Sequence, residues 1–247
     1  MSGSSKGRGA GPRDKSLFHD KIMPTLSEAI IDLSFLLHRE YAEAAALKLV
    51  GDHFQLQKRQ RMAVLRSSSD PHALDHLYTK HPETLKGQTL CIDGFNLIIL
   101  IEAALGGGLI MRGVDGCLRD LSSVHGTYRM VGQTGQSIEL IGQHLAAQQV
   151  HEVHWYLDSP VSNSGRLAQK IRDKAEQNGW NWYAHTENHV DKIISETPHI
   201  SISTDKIILQ QCQRWWNLGA QIVEQSIPEA WIIDLTHRDF HPPTKIK

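Results

Sequence analysis

The stretch Thr89-Leu90-Cys91-Ile92-Asp93-Gly94-Phe95-Asn96 decides how the rest of the chain is read. A short apolar run ends on a carboxylate, breaks at glycine and passes into the apolar segment 96–105. Strand, tight turn and buried helix in that order open a parallel α/β unit. Three more aspartates stand in comparable places. Asp158 ends Val153-His154-Trp155-Tyr156-Leu157, Asp191 sits between Val190 and Lys192-Ile193-Ile194, and Asp205 lies between Ile200-Ser201-Ile202-Ser203-Thr204 and Lys206-Ile207-Ile208-Leu209. In an α/β sheet, residues just outside the carboxyl ends of parallel strands converge on one crevice. Carboxylates gathered there repel one another unless a cation neutralises them, and hard oxygen donors suit Mg²⁺ or Mn²⁺.

Outward from Asp93 the chain alternates. Helix 96–105 is followed by Gly106-Gly107-Gly108 and an irregular segment, 109–131, with one or two short helices expected in it. Helix 135–149, strand 152–157, helix 164–177 and strand 180–185 come next. A short helix after Asp191, strand 199–203, helix 205–216 and strands 221–224 and 231–235 complete the body. Strands separated by helices predict a mostly parallel, doubly wound sheet covered on both faces. No internal repeat is visible.

Upstream, residues 1–22 read as a disordered tail and 23–82 as a small all-helical domain; the α/β body spans 87–236, and 237–247 form a loose tail. Thr25-Leu26-Ser27-Glu28 has the form of a capping box. A second helix runs over 40–50 and stops at Gly51, a suitable C-terminal cap. The third helix, 55–66, carries Lys58, Arg59, Arg61 and Arg66, expected on an exposed face that could contact nucleic acid. Two readings stay open: helix-turn-helix-like geometry, or a plain bundle with a solvated basic face.

Composition narrows the class. The chain has 247 residues, 40% hydrophobic and 21% charged, as in an ordinary globular protein. Residues 1–86 carry a net +3 and residues 87–247 a net −4, a basic front before an acidic body. Three cysteines without CxxC spacing argue against a disulfide framework and a zinc knuckle, and a reducing cytoplasm is expected. No apolar stretch approaches the roughly 20 residues that span a bilayer, and no secretory signal is visible at the start. A homo-oligomer stays open.

Two further groups bear on chemistry. The segment Arg112-Gly113-Val114-Asp115-Gly116-Cys117-Leu118-Arg119-Asp120, continuing to His125-Gly126-Thr127-Tyr128-Arg129, is rich in groups that handle phosphate. Arg112, Arg119 and Arg129 are candidate substrate-backbone ligands, Asp115 and Asp120 auxiliary carboxylates, and His125 a proton shuttle. Equally, the segment could be an Arg–Asp network bracing a loop. Each of the four strand-end aspartates also has a plain reading, as a turn residue or helix N-cap.

Taken together, Ile92-Asp93-Gly94-Phe95-Asn96-Leu97, Tyr156-Leu157-Asp158, Val190-Asp191-Lys192-Ile193-Ile194 and Ser203-Thr204-Asp205-Lys206-Ile207-Ile208 resemble the PIN-like nucleases, nearest to their NYN branch. A helical front containing Leu49-Val50-Gly51-Asp52 before such a body resembles the family called domain of unknown function 434, whose companion domain has been grouped with PIN-like folds. The resemblance spans about residues 25–235. It implies a three-layer α/β/α sandwich and Mg²⁺- or Mn²⁺-dependent cleavage of nucleic acid, RNA before DNA. By the same resemblance Asp93, Asp158, Asp191 and Asp205 map onto the acidic catalytic and metal site, with Asn96 and Thr204 beside it at the substrate. Lys192 and Lys206 depart from the pattern: either could bind phosphate, or displace a metal and leave a degenerate, nucleic-acid-binding or complex-forming protein, or both could simply point outward from their helices. A haloacid-dehalogenase-like phosphatase is the weaker alternative, because Asp93-Gly94-Phe95 lacks that family's second Asp two residues on.

Overall fold

In the computed structural model, which describes residues 7–70, 72–122 and 126–235, β1 (Thr89–Asp93) lies inside a four-stranded sheet. Its neighbours are β4 (Glu152–Asp158) and β6 (Ile200–Ile202), and β5 (Trp182–Glu187) forms the edge beyond β4, giving the order β5-β4-β1-β6. Every pairing is parallel. Leu90, Cys91, Ile92 and Asp93 are all buried, as a strand covered on both faces requires. By contrast β4 alternates: Val153, Trp155 and Leu157 are buried, while Glu152, His154, Tyr156 and Asp158 are half-buried. One face of its outer half therefore meets solvent.

Helix α6 (Gly94–Leu105) follows β1 directly, and ten of its twelve residues are buried. Such all-round burial marks a helix enclosed between layers. It packs against β1 and β4 on one side and, on the other, against a second sheet of order β3-β2-β7, made of β2 (Leu109–Arg112), β3 (Leu118–Asp120) and β7 (Trp231–Asp234). Helix α7 (Thr134–Ala147) lies against α6, while α8 (Ser164–Asn178) covers β5 and α9 (Val190–Glu196) covers β1. The body is a three-layer α/β/α fold with a helical region in front.

The second sheet joins that front region to the body. Ile110 and Leu118 pack into the main core. Leu109, Met111 and Ile233 face the other way, into a core shared with Leu26, Ile30, Leu33, Ala63 and Val64. Those residues come from α2 (Met23–His38) and α4 (Lys58–Ser67), which flank α3 (Glu43–His53). Among the described residues no helix is long and apolar enough to cross a membrane. Cys91, Cys117 and Cys212 are buried and free.

Several sequence expectations are corrected here. The segment after Gly108 holds strands β2 and β3, because Leu109, Ile110 and Met111 are buried on both faces of a sheet and show no period. Residues 221–224 lie in α11 (Leu218–Ser226), capped by the Asn217 side chain accepting from the Ala220 N–H. Their β-branched pair instead packs at helical spacing with Leu218. Helix α10 (Lys206–Gln211) ends early, since Trp215 bridges back to Ser201 and donates its indole N–H to the Ser203 carbonyl at 2.9 Å. Helix α2 begins at Met23 with Pro24 in its first turn and no side-chain cap, so the capping box is not used. Gly51 lies within α3, where its missing Cβ leaves room for the Arg61 guanidinium; a Cβ would meet it at 2.6 Å.

Residues 7–22 are also more than a loose tail. Leu17 and Phe18 are buried in the front core, and α1 (Asp14–Leu17) places a fully buried Asp14 against Arg59. Arg8 reaches the buried carboxylate of Glu102 in α6. The tail at 237–247 lies outside the described residues.

Candidate active site

Two strand-to-helix turns meet at the carboxyl ends of β1 and β6 and are stitched together by side chains. Asp93 caps α6, accepting from the Asn96 N–H at 3.3 Å, and its second oxygen accepts from the Ser203 hydroxyl at 2.9 Å. That hydroxyl in turn accepts the Asp205 N–H at 3.0 Å. The Asn96 amide oxygen accepts both the Thr204 N–H and the Thr204 hydroxyl at 3.0 Å. Asp205 caps α10, accepting from the N–H groups of Ile207 at 2.8 Å and Ile208 at 3.4 Å. The β1–α6 and β6–α10 turns are thus one hydrogen-bonded unit. Gly94 is required by closeness: a Cβ there would stand 2.6 Å from Leu157 and 3.0 Å from the Tyr156 carbonyl of β4. The neighbour that this glycine admits is strand β4.

The carboxylates feel one another. Asp93 is 7% exposed, and lost hydration pushes its carboxyl up to about 7, against hydrogen bonds from Ser203 and Asn96 and with help from the charges of Asp158 and Asp191. Asp158, at the end of β4, is raised by lost hydration and then by Asp191. Asp191, in the first turn of α9 and open to solvent, is raised by partial desolvation and then by Asp205. Desolvation is the largest cause at each of these three carboxyls, and the neighbouring negative charges add to it.

Above these turns lies a cleft of about 600 Å³. Phe95, Asn96, Asp158, Thr204 and Asp205 line its body side, and Leu118, Arg119 and Asp120 come from β3. The front region supplies Glu43, Leu65 and Arg66 as the facing wall. Asp93 lies below the cleft, and neither it nor Asp191 is among the lining residues. The helical region is therefore part of the site's enclosure.

The remaining candidates divide. Arg119 is buried and spent internally: it bonds Asp115 at 2.6 and 2.9 Å and the Thr204 carbonyl at 2.8 and 3.0 Å. Asp115 is likewise buried in that fork, so the pair braces the Thr204–Asp205 turn. Arg112 pairs with Glu224 and Asp234 at 2.7 and 2.9 Å and does not line the cleft. Arg129 is exposed and offers its carbonyl to Arg8. Asp120 does line the cleft, holding the Ser122 N–H and lying 3.8 Å from Arg66. His125 lies outside the described residues.

The basic helix is not an exposed stripe of four cations. Lys58 is exposed, but Arg59 is turned onto Asp14, Arg61 onto Asp52 and the Leu56 carbonyl, and Arg66 onto the carbonyls of Asp120 and Ser122. Acceptors on neighbouring elements, buried at Asp14 and exposed at Asp52, capture the guanidiniums, each of which can satisfy several at once. Lys192 is exposed, whereas the Lys206 ammonium points to the front region and donates to the Leu65 carbonyl at 2.9 Å. Ser203, Phe95 and Glu43 were not singled out from sequence. Ser203 had a signal, its place two residues before a helix-capping Asp; Glu43 had none.

Residues 82–221 match the family described as Domain of unknown function (DUF5616), and residues 25–80 match Protein of unknown function (DUF434). An uncharacterized protein of Methanocaldococcus jannaschii, MJ0935, is 35% identical over 152 residues, covering 61% of this chain and 73% of that protein. No solved structure matches the chain significantly. The first match takes in all four strand-end aspartates, and the second takes in the helices that wall the cleft. By the first match, which covers more than half of its length, the chain belongs to the family described as Domain of unknown function (DUF5616).

Proposed function

We propose that the protein is a PIN-like, NYN-like nuclease that hydrolyses phosphodiester bonds of nucleic acid, RNA ahead of DNA, with Mg²⁺ or Mn²⁺. The observation that carries this reading is the group of four aspartates, of which Asp158 and Asp205 line the cleft, Asp93 is buried at the end of β1 and Asp191 stands in the first turn of α9, each close enough for a neighbour's charge to be felt. Among the described residues no three His, Cys, Asp or Glu side chains are gathered tightly enough to cage an ion as they stand. The case for a cation rests on the donors' chemistry: hard carboxylate oxygens, lost hydration and neighbouring like charges.

The four aspartates would hold the ion, which when bound supplies Lewis acidity and a water acidified toward neutral pH. The chain's own groups do the rest. Ser203 and Asn96 fix the Asp93 carboxylate, and Arg119 fixes the Thr204–Asp205 turn through its carbonyl. Arg66 and Lys206, whose charged ends are held by backbone carbonyls, place positive charge in the cleft wall, and Phe95 gives it a ring.

The test is Asp93→Asn, assayed on single-stranded RNA with Mn²⁺. Cleavage by the wild type and its loss in a folded variant are expected, because an amide still accepts a hydrogen bond but supplies no charge. One observation favours a second reading, a degenerate nucleic-acid-binding or complex-forming protein: Asp93 and Asp205 already serve as helix caps. A wild type that cuts no strand and binds no divalent ion by calorimetry establishes that reading instead.

A further inference from the structure

The open half of the main sheet carries a ladder of rings that leads to Asp158. Register places His154 beside Tyr183, Tyr156 beside His185, and Asp158 beside Glu187, all on the same face of β4 and β5. His154 lies nearly parallel to Tyr183 (18°, centroids 5.2 Å apart) and to His185 (14°, 5.5 Å). Tyr156 and His185 are 24° and 5.2 Å apart. The plates are held in place: His154 bonds Glu152 at 2.7 Å through one ring nitrogen and His185 at 3.2 Å through the other. On the β1 side this face is closed by α9, against which Tyr156 packs. On the other side β5 is the sheet edge, and Tyr183 is 46% exposed.

We propose that these rings are a stacking platform for single-stranded nucleic acid, delivering the strand along β4 to the Asp158 end of the cleft. The proposal rests on the nuclease reading for its direction, since the ladder runs into a proposed catalytic carboxylate two residues beyond Tyr156. Parallel, pre-oriented rings whose stack ends on the exposed Tyr183 suit unpaired bases, which stack on aromatic planes irrespective of sequence. A duplex keeps its base faces inside. From His154 to Asp158 the strand advances about 13 Å, enough to place more than one base-sized plate before the carboxylates. Glu152 and Glu187 flank the ladder, so its attraction for the strand comes from base stacking more than from phosphate charge.

The experiment is fluorescence anisotropy of a labelled oligouridylate with the full chain in EDTA, which separates binding from cleavage. Tyr183→Ala and His185→Ala should weaken binding about five- to 150-fold per lost stack. Tyr183→Phe should leave it unchanged, because the ring and not the hydroxyl is used. An abasic strand of equal length and charge should bind the unmodified protein correspondingly less well. Equal affinity for the abasic strand, or for Tyr183→Ala in a protein of unchanged thermal stability, overturns the platform; so does preference for a duplex or no binding at all. A wild type that binds as described but does not cut leaves the platform standing and removes the nuclease. One that cuts while Tyr183→Ala binds normally does the reverse.

Discussion

Asp93→Asn makes a prediction in stability that needs no substrate. The Asp93 carboxyl is buried and raised from its ordinary 3.8 to about 7. Between those values the folded chain keeps a proton that the unfolded chain has lost, so stability falls as pH rises through that window and levels off above it. A difference of about 3 units at roughly 1.36 kcal/mol each gives an upper figure near 4 kcal/mol for the ionised group. An asparagine escapes this cost. It forfeits about 1 kcal/mol, since one of the two donors from Ser203 and Asn96 then meets an amide NH₂. In EDTA, urea unfolding should find the variant about 1 kcal/mol less stable than wild type near pH 3, and roughly 2–3 kcal/mol more stable near pH 8. Asp158 and Asp191 are raised too and contribute to the wild-type slope, but the difference between the proteins isolates Asp93. Adding Mn²⁺ should stabilise the wild type preferentially, by about 2.7 kcal/mol at 100 times its dissociation constant. A wild-type-to-variant gap that stays constant with pH would refute the reasoning, because a plain cap has no such window.

Arg119→Ala should cost about 3–5 kcal/mol in urea unfolding, since it strands the buried Asp115 carboxylate and frees the Thr204 carbonyl; a loss below about 1 kcal/mol would mean water replaces the guanidinium. Gly94→Ala should cost about 1–3 kcal/mol, as a Cβ at 2.6 Å from Leu157 and 3.0 Å from the Tyr156 carbonyl pushes β4 off α6. A calorimetric Tm unchanged from wild type would show that the two elements separate without cost.

What could be read from the sequence was what burial and period encode. The run 90–92 with its terminal Asp, the alternation in 152–158 and the apolar density of 96–105 each specify one element, and the parallel sheet follows from their order. The second sheet was not legible for a definite reason. Leu109, Ile110 and Met111 are buried on both faces, so they carry no alternation, and their partner β7 lies more than a hundred residues away. Asp93 and Asp158 were legible as strand-end residues, Asp191 and Asp205 fall instead at the starts of α9 and α10, and Ser203 and Asn96, which hold Asp93 and Thr204, were legible only through their places in the same short motifs.

The direction of long cationic side chains was the part least available from sequence, and it changes how the front region is understood. A basic helix looks like an arm for nucleic acid until its acceptors are located. Arg66 gives its guanidinium to the carbonyls of Asp120 and Ser122, while its own carbonyl accepts from Arg119 at 3.2 Å. One residue before it, the Leu65 carbonyl holds the Lys206 ammonium. The end of α4 is thereby bonded to β3 and to the first residue of α10, which Asp205 caps. Loosening these bonds would move a wall of the cleft and the Asp205 turn together. The helical region therefore acts on the site through position: it closes the cleft over the strand ends, and its few free charges are secondary to that.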